Sequence, residues 1–155
     1  QWAKPAPDTV GALAPYLGPA RYATVQPQAL LLHAGARVAY GSDWPVDPLD
    51  AWFALKVAVT RTAAPGAGKE YAGRLTAQPG MPRAAVLRAA TIDAARTLRQ
   101  EASTGSLELG KLADLIVLDR HFFTVPEEDI ANIRVLQTVV GGKVVYEAEG
   151  QPFRP

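Results

Sequence analysis

The chain has 155 residues, enough for one ordinary domain but short of the roughly 250 that a whole (β/α)₈ barrel usually takes. Its net charge is +1, with no basic stripe along any segment, which argues against nucleic acid as a partner. Apolar residues make up 48% and charged residues 20%, so a packed core is expected rather than disorder.

Cysteine is absent, which excludes disulfide scaffolds, Cys-ligated metal centres and thiol nucleophiles, and fits a reducing, cytoplasmic setting. No apolar run is long enough to span a bilayer, so a membrane is not an expected partner. The start, Gln1-Trp2-Ala3-Lys4-Pro5, carries neither an initiator Met nor a signal-peptide pattern, and Gln1 reads as an internal position.

Thirteen glycines and thirteen prolines punctuate the chain and make its breaks readable. Asp8 is a candidate N-cap for a helix through Leu17, stopped by Gly18-Pro19. Pro27 suits a first helical position, with Leu30, Leu31 and Ala34 forming a short apolar face. Arg37 to Tyr40 reads as a short buried strand running into the turn Gly41-Ser42-Asp43-Trp44-Pro45. Pro48 opens a further helix, in which Trp52, Phe53, Leu55 and Val59 give an apolar face and Lys56 a basic edge. Thr62 to Pro79 lacks periodicity and is long for a connection, which predicts a functional or mobile loop.

Pro82 begins a helix with Ala85, Val86 and Ala89 on one side, and Thr91 caps another from Ile92 to Leu98. After Gly105 the period changes from helix to strand, the best internal boundary, dividing the chain into 1–104 and 105–155. Leu115 to Leu118 reads as a buried strand. Val135–Val140, Gly141-Gly142 and Lys143–Tyr146 read as a hairpin with a type I′ turn.

The densest chemistry is at Ser42-Asp43-Trp44-Pro45, a carboxylate at the C-terminal end of a strand in a strand–loop–helix unit, where α/β folds bind ligands. Such a carboxylate can ligate a metal or take a proton from water, or it can serve only the turn and the start of the Pro48 helix. His33 lies before the strand, roughly 17 Å from Asp43 at about 3.3 Å per residue, and reads as an ordinary helix residue. His121 begins His121-Phe122-Phe123, a loop packing two aromatics without a second nearby His. Glu127-Glu128-Asp129 reads as the acidic first turn of a short helix, and Asp114 and Asp119 as solvated strand ends. Gly66-Ala67-Gly68-Lys69 is no phosphate loop, because Glu70 follows the Lys and Ala63 replaces the first Gly. Trp2 and Trp44 suit either a pocket wall or the core. One carboxylate without partners is not a recognisable catalytic site, since a catalytic zinc needs three or more ligands.

Two motifs carry a resemblance. Gly41-Ser42-Asp43-Trp44-Pro45-Val46, and Thr104 to Asp119 with its Gly110-Lys111-Leu112-Ala113-Asp114-Leu115 centre, resemble the C-terminal part of metal-dependent amidohydrolases. The nearest likeness is to the amidohydrolase 3 branch, the YtcJ-like and N-substituted formamide deformylase-like proteins. Thr138 to Tyr146, Leu17-Gly18-Pro19 and Ala90 to Ala95 are also similar.

The resemblance implies an α/β fold: the last part of a (β/α)₈ barrel, whose final strand, Val38 to Ser42, delivers Asp43 to a metal centre, followed from Gly105 by strands of a small composite β-sandwich. It implies a divalent metal, zinc by family habit, with Asp43 as ligand and proton shuttle. Ser42, Trp44 and Trp2 would line the pocket for a small amide-type substrate. The His-rich ligands of the family belong to upstream sequence that this chain lacks, so it would act as part of a longer hydrolase of non-peptide C–N bonds. A homo-oligomer, or pairing with the missing N-terminal segment, is the implied association. Two alternatives stand beside it: a non-catalytic association module pairing its sheet edge with another chain, and a small β-rich ligand-binding domain.

Overall fold

The structure, a computed structural model, describes residues 3–150. A π-helical turn, Pro7–Leu13, leads directly into α1 (Ala14–Tyr22). The turn is capped through Thr9 rather than Asp8: Thr9 Oγ1 accepts from the Ala6 amide at 2.8 Å and donates to the Lys4 carbonyl at 2.9 Å. Gly18, at φ +69°, breaks the helix at the expected place, but the chain turns helical again at Pro19, which needs no amide donor there.

Helix α2 (Gln28–His33) buries Ala29 and Leu32 in part, while Leu30 and Leu31 are about half exposed, so its inner face is not the expected one. The segment Arg37 to Tyr40 is extended but forms no ladder, a departure from the predicted strand. A parallel strand needs a neighbour to take its amides and carbonyls, and the Tyr40 amide instead donates to the Ala89 carbonyl at the end of a helix, at 3.0 Å. Period-two alternation persists nonetheless: Val38 and Tyr40 pack on the core while Arg37 and Ala39 face out.

Helix α3 (Ala51–Thr60) starts later than Pro48 because Asp50 caps it, accepting the Phe53 amide at 2.9 Å. Its residues 54–60 are all buried, so Lys56 is no solvated edge. Arg61 ends the helix in the left-handed region at φ +60° and is itself 2% exposed. Residues 62–79 are anchored in part: Thr62 bridges Arg74, Leu75 is buried, and Lys69–Tyr71 forms one 3₁₀ turn.

Helices α4 (Arg83–Ala90) and α5 (Ile92–Thr97) follow, with Pro82 before the first as expected. Thr91 does not cap α5 with its side chain; its hydroxyl donates back to the Leu87 carbonyl at 2.6 Å. The final part is an antiparallel sheet in the order β1 (Leu115–Leu118), β2 (Val135–Val140), β3 (Lys143–Glu147). Ile116 lies opposite Thr138, and Thr138 opposite Tyr146. Gly141 and Gly142 sit at φ +57° and +78°, the positive pair a type I′ turn requires. β1 is only partly buried and β3 is exposed throughout.

One apolar core joins the two halves. Leu55, Ala58 and Val59 of α3 and Val86 and Ala89 of α4 pack with Phe122, Val125, Ile130 and Ile133 from the connection between β1 and β2. The 3₁₀ turn Glu127–Asn132 brings Ile130, fully buried, onto α3. The acidic trio there occupies the first turn, as its spacing predicts.

Candidate active site

Asp43 stands at the end of the extended run from Val38, in the left-handed region at φ +60°, a conformation Asp tolerates better than most residues. Its carbonyl accepts from the Val46 amide at 2.8 Å, closing a four-residue turn that contains the cis Trp44–Pro45 peptide. Ser42 is half-buried, and its hydroxyl accepts from the Trp44 amide at 3.3 Å. Backbone and Ser42 groups thus help to hold the turn, and Asp50 caps the next helix. Trp44 is 62% exposed, which removes the core alternative for its ring. Trp2 lies outside the described residues.

Behind the turn are two buried polar groups that no local spacing announces. The Tyr40 phenol is buried, and among the described residues its hydroxyl has no hydrogen-bond partner. Burial pushes its pKa well above the usual tyrosine value; the Asp47 carboxylate adds to this and the Arg61 guanidinium opposes it, so the phenol stays neutral. Asp47 receives Lys4 Nζ on both oxygens, at 2.7 and 2.8 Å. Arg61 reaches the carbonyls of Gln26 (2.6 Å) and Val25 (3.1 Å) and the side chains of Gln28 (3.2 Å) and Thr76 (3.3 Å).

Lys56 Nζ is held by Thr62 Oγ1 at 2.5 Å and the Ala63 carbonyl at 2.7 Å, where desolvation lowers its pKa and Glu128 partly offsets the effect. It lines an open cavity of about 460 Å³ with Pro65, Tyr71 and Glu128.

The two histidines do not join Asp43 in a cluster. His33 ends α2 and is exposed. His121 is exposed, its ring tilted against that of Phe123 at 5.7 Å between centroids, while Phe122 alone of the aromatic pair enters the core. Among the described residues, no three His, Cys, Asp or Glu side chains come together to hold a metal ion. The donors of these residues therefore do not by themselves fit a metal centre. No helix among the described residues is long and apolar enough to cross a membrane.

Comparison with known proteins settles the family. The amidohydrolase family model matches residues 5–146, nearly the whole chain. The chain belongs to the amidohydrolase family. Among its relatives, the N-substituted formamide deformylase of Arthrobacter pascens is 33% identical over 80% of this chain and 22% of its own length. The putative amidohydrolase YtcJ of Bacillus subtilis is 26% identical over 84% of this chain and 24% of its own. In solved structures, an amidohydrolase from Thermotoga maritima shares the fold with a TM-score of 0.52 and 28% identity, over 76% of this chain and 25% of that one. This amidohydrolase chain thus spans about a quarter or less of the relatives it matches. Its mixed helices and strands accord with the α/β fold of that family.

Proposed function

We propose that these residues are the C-terminal part of an enzyme that hydrolyses non-peptide C–N bonds in small amide-type substrates, with Asp43 as its contribution to the reacting centre. The observation that carries the reading is the place of Asp43: a carboxylate exposed on a turn closed by its own backbone, directly after the extended segment 38–42, in a chain of the amidohydrolase family. The related deformylase is named for N-substituted formamides, which makes that class the first substrate to try.

Water adds to the carbonyl carbon, and Asp43 accepts its proton. The C–N bond then breaks, and the proton passes from Asp43 to the leaving nitrogen. Ser42 holds the Trp44 amide, and the open Trp44 ring walls the substrate side. A divalent metal, zinc by the resemblance, would take Asp43 as one ligand and its remaining donors from elsewhere in the protein.

On this reading residues 38–42 are the last strand of a (β/α)₈ barrel, 1–104 the end of that barrel, and 105–155 strands of a composite β-sandwich. The exposed apolar groups of α2 and of the sheet, Leu30, Leu31, Val144 and Tyr146, support it, as apolar surface that further chain could cover. Replacing Asp43 by Asn in the full-length protein, assayed for amine release from an N-substituted formamide, tests the proposal.

A second reading, an association module, draws support from β3, an edge strand exposed along its whole length and open to pairing. Complementation by an upstream fragment, without turnover in the assembled protein, would favour it.

A further inference from the structure

The turn that carries Asp43 is poorly held by burial. Trp44, Val46 and Leu49 are 62%, 60% and 79% exposed, so apolar packing does not fix the path from Gly41 to Asp50. A charge pair ties it to a remote part of the chain. Lys4 Nζ lies 2.7 and 2.8 Å from the two Asp47 oxygens across 43 residues of sequence, and the two side chains are only 14% and 19% exposed.

The Lys4 end is itself anchored. Ala3 and Pro5 on either side are buried, and the Lys4 carbonyl is held by the hydroxyl of Thr9, which is 1% exposed. The Asp47 end is coupled to Asp43 through its neighbour, because the Val46 amide closes the turn on the Asp43 carbonyl at 2.8 Å. A displacement of Asp47 therefore moves one wall of the turn on which Asp43 stands. Partial burial and contact with both oxygens distinguish this pair from exposed ion pairs of little consequence.

We propose that Lys4 is a positioning residue, which through Asp47 fixes the turn bearing Asp43 in the orientation its proton transfer requires. The inference rests on the reading of Asp43 given above. It assigns no contact between Lys4 and substrate.

The test is kinetic, in the full-length protein with the N-substituted formamide, on Lys4→Met, Lys4→Arg, Asp47→Asn and the reversed pair Lys4→Asp with Asp47→Lys. Misplacement of a reacting group by about 1 Å can cost about 100-fold, so the Met and Asn variants should lose about 10- to 100-fold in kcat per folded molecule, with KM within about twofold. Lys4→Arg and the reversed pair should recover most of that loss, which a purely structural defect in either single variant would not predict. Unchanged kcat per folded molecule in Lys4→Met, even with a lowered Tm, would overturn the inference, as would a raised KM at constant kcat. Asp43→Asn, measured alongside, separates the two proposals. Full turnover in that variant refutes the Asp43 role itself, whereas its inactivity beside a normal Lys4→Met refutes only the positioning role.

Discussion

Replacing Arg61 by Met removes the guanidinium while leaving an unbranched stem of similar bulk in a site that is 2% exposed. The guanidinium ties three segments together: the turn at Val25 and Gln26, Gln28 at the start of α2, and Thr76 near the end of the long loop. Those four bonds, at about 1 kcal/mol net each, come to about 4 kcal/mol. Against them stands the desolvation of a cation whose four acceptors are neutral, which offsets part of that gain. Burial is also what lowers the pKa of Arg61, with the Tyr40 phenol opposing and Arg74 reinforcing the shift. The difference leaves a loss of about 2–3 kcal/mol for Arg61→Met, readable as a lower urea midpoint at constant m-value. A loss under about 0.5 kcal/mol would refute the reasoning, showing that the desolvation cost cancels the bonds.

Gly80 lies against the end of α3 so closely that a Cβ there would overlap the Val59 carbonyl oxygen, while the Met81 amide bonds the Ala58 carbonyl at 2.9 Å. Gly80→Ala should cost about 2 kcal/mol or more in the same unfolding experiment, because a backbone atom cannot rotate aside, and a neutral result would contradict that crowding. The Asp119 carboxyl is held below the usual carboxylate range: burial works against this, but the Arg134 amide (2.9 Å) and guanidinium (3.1 Å), with Arg120, outweigh it. A depressed folded-state pKa means that the unfolded chain binds more protons, so this stabilisation is present at neutral pH and lost as pH falls through the folded pKa. Asp119→Asn should therefore flatten the acid limb of a stability–pH curve relative to the parent; parallel curves would contradict the assignment.

The hairpin was legible because its information is local. Two glycines between runs of β-branched residues specify the turn type and the register beside it, and Gly141 and Gly142 take the positive φ values this needs, whereas the register shift between Thr138 and Val139 has no such signal. The break at Gly18 and the helix after Pro82 are local for the same reason. The helix caps were less so: Thr9 and Asp50, not Asp8 and Pro48, make the bonds, since adjacent polar residues compete for one cap and spacing alone does not choose between them.

Arg37 to Tyr40 has the composition of a strand, but a ladder is a property of two segments, and the Tyr40 amide finds a helix carbonyl instead. The same holds for the site. Asp43 stood out from its position in the motif, whereas Lys4 with Asp47, and Arg61 with Val25, Gln26 and Thr76, join residues 15 to 43 apart and leave no periodic trace. An Arg closing the apolar run of α3 was the one available signal for the latter, since a charged residue there must find partners or force the helix end to solvent.

The role of Asp43 is tested by the turnover of the full-length protein with Asp43 changed to Asn. Amine and formate released from an N-substituted formamide give kcat, and the unfolding midpoint gives a check on the fold. Loss of a proton-transferring carboxylate predicts kcat per folded molecule lower by about 10²–10⁴-fold. A variant that releases both products at the parental rate would contradict the role of Asp43 at its centre.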